Sequence, residues 1–311
     1  MSDLQSDVRQ FTYLLEKIES SDFCAEPFTH LEISNFLSDE HFQAVIASEQ
    51  VQISTSQTSV ALIDHLLDKG YEPIPFPGCT TSVQDYLNWI EGKVNHGNHE
   101  VCEGFGITFR LQSPQSKILR DLDIFFKSSI FKKQLEDKFG ITRPTTMETG
   151  LQKYLHGYEI SPHPDVRKKA LTYMLNVNPS NRSEELDIHT HYLKFKPKKQ
   201  FISEFWRYND QYDRCWVPWE WCDTCKQQYL NNSIVLFSPS WDTLHAVKLN
   251  YNHLETQRTQ FYGNLWYDDC AFLSKPQYSD FIIQPSPKPQ LTAKQSQPLA
   301  YITKLFSYFK S

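Results

Sequence analysis

Tyr154-Leu155-His156-Gly157-Tyr158-Glu159-Ile160-Ser161-Pro162-His163-Pro164-Asp165 stands near the start of the region that decides the fold. From about Met147 onward, short aromatic and β-branched runs recur at 150–155, 169–177, 186–195, 233–237, 244–249 and 257–267, separated by Pro, Asn, Asp and Ser. That spacing predicts an antiparallel sandwich or barrel rather than alternating βαβ units. His163 and Asp165 lie two apart, so on an extended segment both side chains project from one face, as two ligands of a facial metal site must. A third ligand comes most naturally from His245 in Leu244-His245-Ala246-Val247-Lys248-Leu249, after the turn Ser238-Pro239-Ser240-Trp241-Asp242. Arg258 stands 13 residues further on, in a run that reads as the next strand. If 244–249 and 257–263 pair antiparallel, Arg258 points into the same cavity as His245, where a guanidinium can clamp a carboxylate bidentately. Lys248, out of step with His245 and Val247, should face outward.

The ordered pieces Tyr154…Gly157…His163-x-Asp165, Leu175-Asn176, His245-x-Val247 and Arg258 resemble the Fe(II)- and 2-oxoglutarate-dependent dioxygenases, in their prolyl-hydroxylase-like branch. The resemblance covers roughly 147–267, together with Pro27 to Leu37. It implies an α+β, mainly β chain: a double-stranded β-helix, or jelly roll, with supporting N-terminal helices. It implies iron on a catalytic set of His163, Asp165 and His245, and 2-oxoglutarate whose 5-carboxylate is held by Arg258, with the Tyr154 hydroxyl assisting. O₂ is then the co-reactant, ascorbate an accessory reductant, and hydroxylation of an unactivated C–H bond the outcome. One departure bears on substrate. Protein prolyl hydroxylases place a Lys shortly after the distal His where this chain has Glu255, so the clamp moves to Arg258 and a prolyl substrate does not follow. Small metabolite, sugar or glycan precursor and peptidyl residue all stay open.

Competing readings attach to other residues. His189-Thr190-His191 also puts two imidazoles on one strand face, yet Leu193 to Lys199 supplies no acid for a cupin-type site, so the pair is assigned to the substrate mouth. Cys222-Asp223-Thr224-Cys225 with Cys215 nearby suggests zinc, but no second CxxC completes four ligands. A zinc-stabilised interaction module and a jelly-roll scaffold without turnover are the alternatives to an enzyme. The aromatic stretch from Phe205 to Trp221 reads mostly as core, with a few rings forming a lid.

The rest of the chain divides into 1–146, a helical and strand region supporting the core, 147–272, the core, and 273–311, a Pro-rich linker with a short amphipathic helix from Leu299 to Phe309. Helices are expected at Val8–Ile18, from a Ser38 N-cap to Glu49, at Ser82–Val94 and as one long element over Ser116–Phe139, with strands at 27–37 and Gly104–Leu111. Of 311 residues, 40% are hydrophobic and 14% aromatic, which excludes a disordered chain, and only ten are glycine, which excludes Gly-rich phosphate-binding domains. The net charge of −6 argues against nucleic acid as partner. No apolar run approaches a membrane span, Met1 to Asp22 lacks a secretory pattern, and seven thinly spread Cys suit reduced thiols, so a cytoplasmic protein is expected. The tail, basic where the chain is acidic, suits a weak peripheral membrane or protein contact.

Overall fold

A computed structural model of the chain describes residues 8–76, 78–99 and 101–282. The described residues up to Tyr278 form one compact unit. The expected amphipathic helix of 299–309 lies outside the described residues. Among the described residues the fold is α+β, with two largely antiparallel sheets. The larger sheet runs in the order β1 (Leu31–Ile33), β10 (Ile234–Phe237), β7 (Lys169–Asn176), β12 (Arg258–Tyr267), β5 (Thr145–Tyr154), β4 (Gly106–Leu111) and β2 (Tyr71–Pro73), and β3 (Cys79–Thr80) joins β4 in parallel. The smaller sheet is β6 (Glu159–His163), β11 (His245–Lys248), β8 (Thr190–Phe195) and β9 (Cys222–Gln228). The larger sheet crosses residue 146 without a break, since β4 pairs with β5.

Each face of the larger sheet has its own packing. Leu151, Leu171, Tyr173, Leu175, Leu236, Phe261 and Leu265 point outward to helices α1 (Thr12–Ser20), α2 (Asp39–Ile46), α3 (Ser59–Asp68), α4 (Val83–Ile90), α5 (Lys117–Phe126) and α6 (Ser129–Phe139), which supply Leu14, Leu15, Leu62, Leu122, Phe125 and Phe131 among others. Each such side chain contributes about 1.5–3 kcal/mol on burial. Met174, Val235, Phe237 and Tyr262 point the other way and meet Tyr192 of the smaller sheet, so the two sheets face each other.

Local chemistry explains the helix boundaries. Ser38, Thr58, Ser82, Ser116 and Ser128 each accept a hydrogen bond from the backbone N–H three residues on, satisfying a donor that a helix start leaves orphaned. Ser128 also corrects the reading of one helix over Ser116–Phe139. Its hydroxyl caps a second helix at the Phe131 N–H, so α5 and α6 are separate elements. A further correction concerns the C-terminal strands. β11 pairs with β6 and β8 in the smaller sheet, whereas β12 pairs with β5 and β7 in the larger, so 244–249 and 257–263 do not form a hairpin. The intervening 249–257 carries the chain from one sheet to the other. Finally, the polar run Cys222–Gln228 is strand β9, which the sequence pattern concealed because only its two end residues, Cys222 and Gln228, are buried.

Candidate metal centre

Strand β6 ends at His163, and Asp165 lies two residues beyond it with φ +60°. The expectation that both project from one extended face is therefore corrected. A left-handed turn, rare for a residue with a Cβ, swings the Asp165 carboxylate back beside the His163 ring. His163 Nε2 is 3.5 Å from Asp165 Oδ1, and His245 Nε2 is 3.7 Å from Oδ2. One ligand atom from each of the three lies within 4.8 Å of the others, and all three residues are buried. Register irregularities help: β6 has an extra residue opposite Ala246, which aligns both His163 and Ile160 with the interior.

Hydrogen bonds fix the histidines. The Nδ1 of His163 meets the Ser161 carbonyl at 2.9 Å, and that of His245 meets the Thr243 carbonyl at 2.9 Å. Each Nδ1 therefore carries a proton, which turns Nε2 toward Asp165. Burial, reinforced by His163, pushes His245 down to about 3, so it is a neutral imidazole at physiological pH. Burial works against the charge of Asp165, but Lys169 and the two imidazoles outweigh it and hold its carboxyl well below the usual range.

Lys169 is a participant that the sequence pattern missed. Its ammonium donates to Asp165 Oδ1 at 2.7 Å and to the Tyr262 hydroxyl at 3.0 Å, while Thr172 donates to Oδ2 at 2.8 Å. By parity Lys169 should share a face with Leu171. Ala170 is an extra residue in the β7–β12 ladder, so Lys169 turns inward instead.

Arg258 reaches the same cavity from the larger sheet, opposite His245 and not beside it. It is buried, its guanidinium donates to Thr190 Oγ1 at 2.9 Å, and it lies 4.7 Å from the centre of the Tyr154 ring. No carboxylate pairs with it among the described residues. Burial accordingly lowers its pKa. Tyr154 meets Arg258 through its ring face, and its hydroxyl is engaged by Gln152 at 2.5 Å. Apolar walls come from Phe76, Tyr158, Ile160, Met174 and Val247.

Other sequence candidates lie elsewhere. Lys248 faces away, bonding Glu103. His189 bonds the Glu184 carbonyl and His191 bonds Thr224, and neither lines the cavity. Cys222 is buried, whereas Cys225, the extra residue of a bulge against β8, is exposed; none of Cys215, Cys222 and Cys225 forms a disulfide. Among the described residues, His163, Asp165 and His245 form the one group with metal-binding geometry.

No protein-family model matches the chain, and no curated protein matches its sequence. Solved structures do. This chain is similar to prolyl hydroxylases. The Trichoplax adhaerens prolyl hydroxylase, solved with a peptide fragment of the hypoxia inducible factor oxygen degradation domain, aligns at 11% identity and TM-score 0.41 over 86% of this chain and 94% of that one. A Pseudomonas putida prolyl-4-hydroxylase aligns at 8% identity and TM-score 0.38 over 83% and 98%. The α-ketoglutarate-dependent epimerase SnoN of nogalamycin biosynthesis aligns at 12% identity and TM-score 0.36 over 86% and 84%. Likeness at this level transfers no residue roles, so the roles below rest on geometry.

Proposed function

We propose that this chain is an Fe(II)- and 2-oxoglutarate-dependent dioxygenase, a hydroxylase built on a double-stranded β-helix. The observation that carries the reading is one cavity holding both a three-donor metal group and a buried guanidinium without a counter-charge. Two neutral imidazoles and one carboxylate are the donor set suited to non-haem Fe(II), and they leave coordination positions free for small ligands. The strand order supports the jelly-roll reading, because β5 to β12 alternate between the sheets except where β8 leads to β9.

His163, Asp165 and His245 would hold the metal. Fe(II) held there with 2-oxoglutarate would supply O₂ activation, O₂ oxidising a C–H bond to C–OH and 2-oxoglutarate to succinate and CO₂. The chain's own part is positioning and exclusion. Ser161 and Thr243 keep both imidazoles in the ligating tautomer, and Lys169 and Thr172 hold the carboxylate in place. Arg258, aimed by Thr190, would take the far carboxylate of the dicarboxylic acid. A buried cation otherwise uncompensated is a strong reason for an anion to bind. The apolar walls keep water from the reacting atoms.

The test is succinate. Protein supplied with Fe(II), 2-oxoglutarate, ascorbate and O₂ should form it, and His245→Ala should form none while keeping its far-UV circular dichroism. Equal succinate from both proteins would overturn the reading.

A further inference from the structure

We propose that Thr243 is the positioning residue that locks the two arms of the metal site to each other. The β6–β11 ladder sets His245 opposite His163, but Asp165 lies beyond the end of β6, where no strand pairing holds its distance from His245. Thr243, 2% exposed, touches both His245 and the His163-Pro164-Asp165 turn. Its carbonyl accepts from His245 Nδ1 at 2.9 Å, and its hydroxyl donates to the Pro164 carbonyl at 3.2 Å, immediately before Asp165. The same hydroxyl accepts the Ser240 N–H at 3.0 Å and lies 3.1 Å from the Ser240 carbonyl, which ties Thr243 to its own turn.

That anchorage falls where the backbone needs it. Asp165 is left-handed at φ +60°, a conformation that costs free energy for a residue with a side chain and persists only when its surroundings enforce it. Arg214 supports the same turn, its Nη1 lying 3.4 Å from the Pro164 carbonyl and 3.2 Å from the Asp165 carbonyl. Thr243 differs from Arg214 in also orienting a ligand imidazole. Removing its hydroxyl should free Asp165 to relax while leaving the His245 anchor, a main-chain carbonyl, intact.

This inference rests on the metal reading above, and the experiment separates the two. Mn(II) is titrated into metal-free wild type, Thr243→Val, Thr243→Ser and His245→Ala, each first checked for fold by circular dichroism, and Co(II) absorption reports the ligand set. Thr243→Val, nearly isosteric, should bind Mn(II) ten- to hundredfold more weakly, the range seen when groups that orient a metal's ligands are lost. It should also show an altered Co(II) spectrum, and Thr243→Ser should restore both. Mn(II) binding within twofold of wild type in Thr243→Val, alongside loss in His245→Ala, overturns the role of Thr243 and leaves the metal reading standing. Undiminished binding in His245→Ala overturns the metal reading itself. Should Thr243→Val not fold, Thr243→Ala replaces it with the same outcomes.

Discussion

Two lysines buried in the larger sheet face opposite ways, and the contrast separates the structural side of the molecule from its chemical side. Lys153 of β5 points toward the helices. Its ammonium has the Val51 carbonyl and Thr259 Oγ1, each at 2.8 Å, and lies 5.8 Å from the centre of the Tyr71 ring. Burial alone pushes it down to about 7. Lys169 of β7 points into the cavity, where Asp165 and Tyr262 surround it. Burial opposes its charge as well, yet Asp165 outweighs that and raises its pKa above the usual value. The outer face thus tolerates a cation that surrenders its proton easily. The inner face is organised around charges that stay.

The largest expected effect comes from breaking the inner pair. Lys169→Met strands the Asp165 carboxylate, and losing one partner of a buried ion pair costs about 3–5 kcal/mol. Thermal melts of the metal-free variant should show a drop of that order, partly reversed by Mn(II), which supplies positive charge at the same carboxylate. A metal-free variant melting with wild type would show that the two faces do not differ as described.

Lys153 sharpens the contrast through pH. Its pKa falls from an ordinary 10.5 to about 7 on folding, so between those values the unfolded chain holds the extra proton. Stability contributed by this group therefore rises with pH across the window, by about 1.4 kcal/mol per unit at most. Lys153→Met should remove that part of the slope and be more stable than wild type near pH 7. Denaturant titrations of both proteins from pH 7 to 10 would check it; parallel curves would mean that Lys153 is charged and paired.

The sequence made the framework legible wherever periodicity was regular. The strand runs at 150–155, 169–177, 233–237, 244–249 and 257–267 all fall on observed strands, and Ser38 caps its helix as expected. His163, Asp165, His245 and Arg258 were each identifiable, and the fold brings them to one cavity. What was not legible came from departures from strict alternation. The bulge at Ala170 hid Lys169, the turn at Asp165 replaced the expected strand geometry, and the crossing between sheets after β11 placed Arg258 opposite His245. Thr243 and Arg214 act through main-chain carbonyls, which leave no trace in side-chain pattern.

The central claim is that the inner cavity receives a dicarboxylate between a metal and Arg258. Calorimetric titration of 2-oxoglutarate into Mn(II)-loaded wild type and Arg258→Gln tests it most directly. Charge-assisted pairing contributes about 1.5–3 kcal/mol, roughly ten- to hundredfold in affinity, so wild type should bind one equivalent and the variant should bind that much more weakly with Mn(II) affinity retained. Equal 2-oxoglutarate affinity in the two proteins, or no binding to wild type, would contradict it.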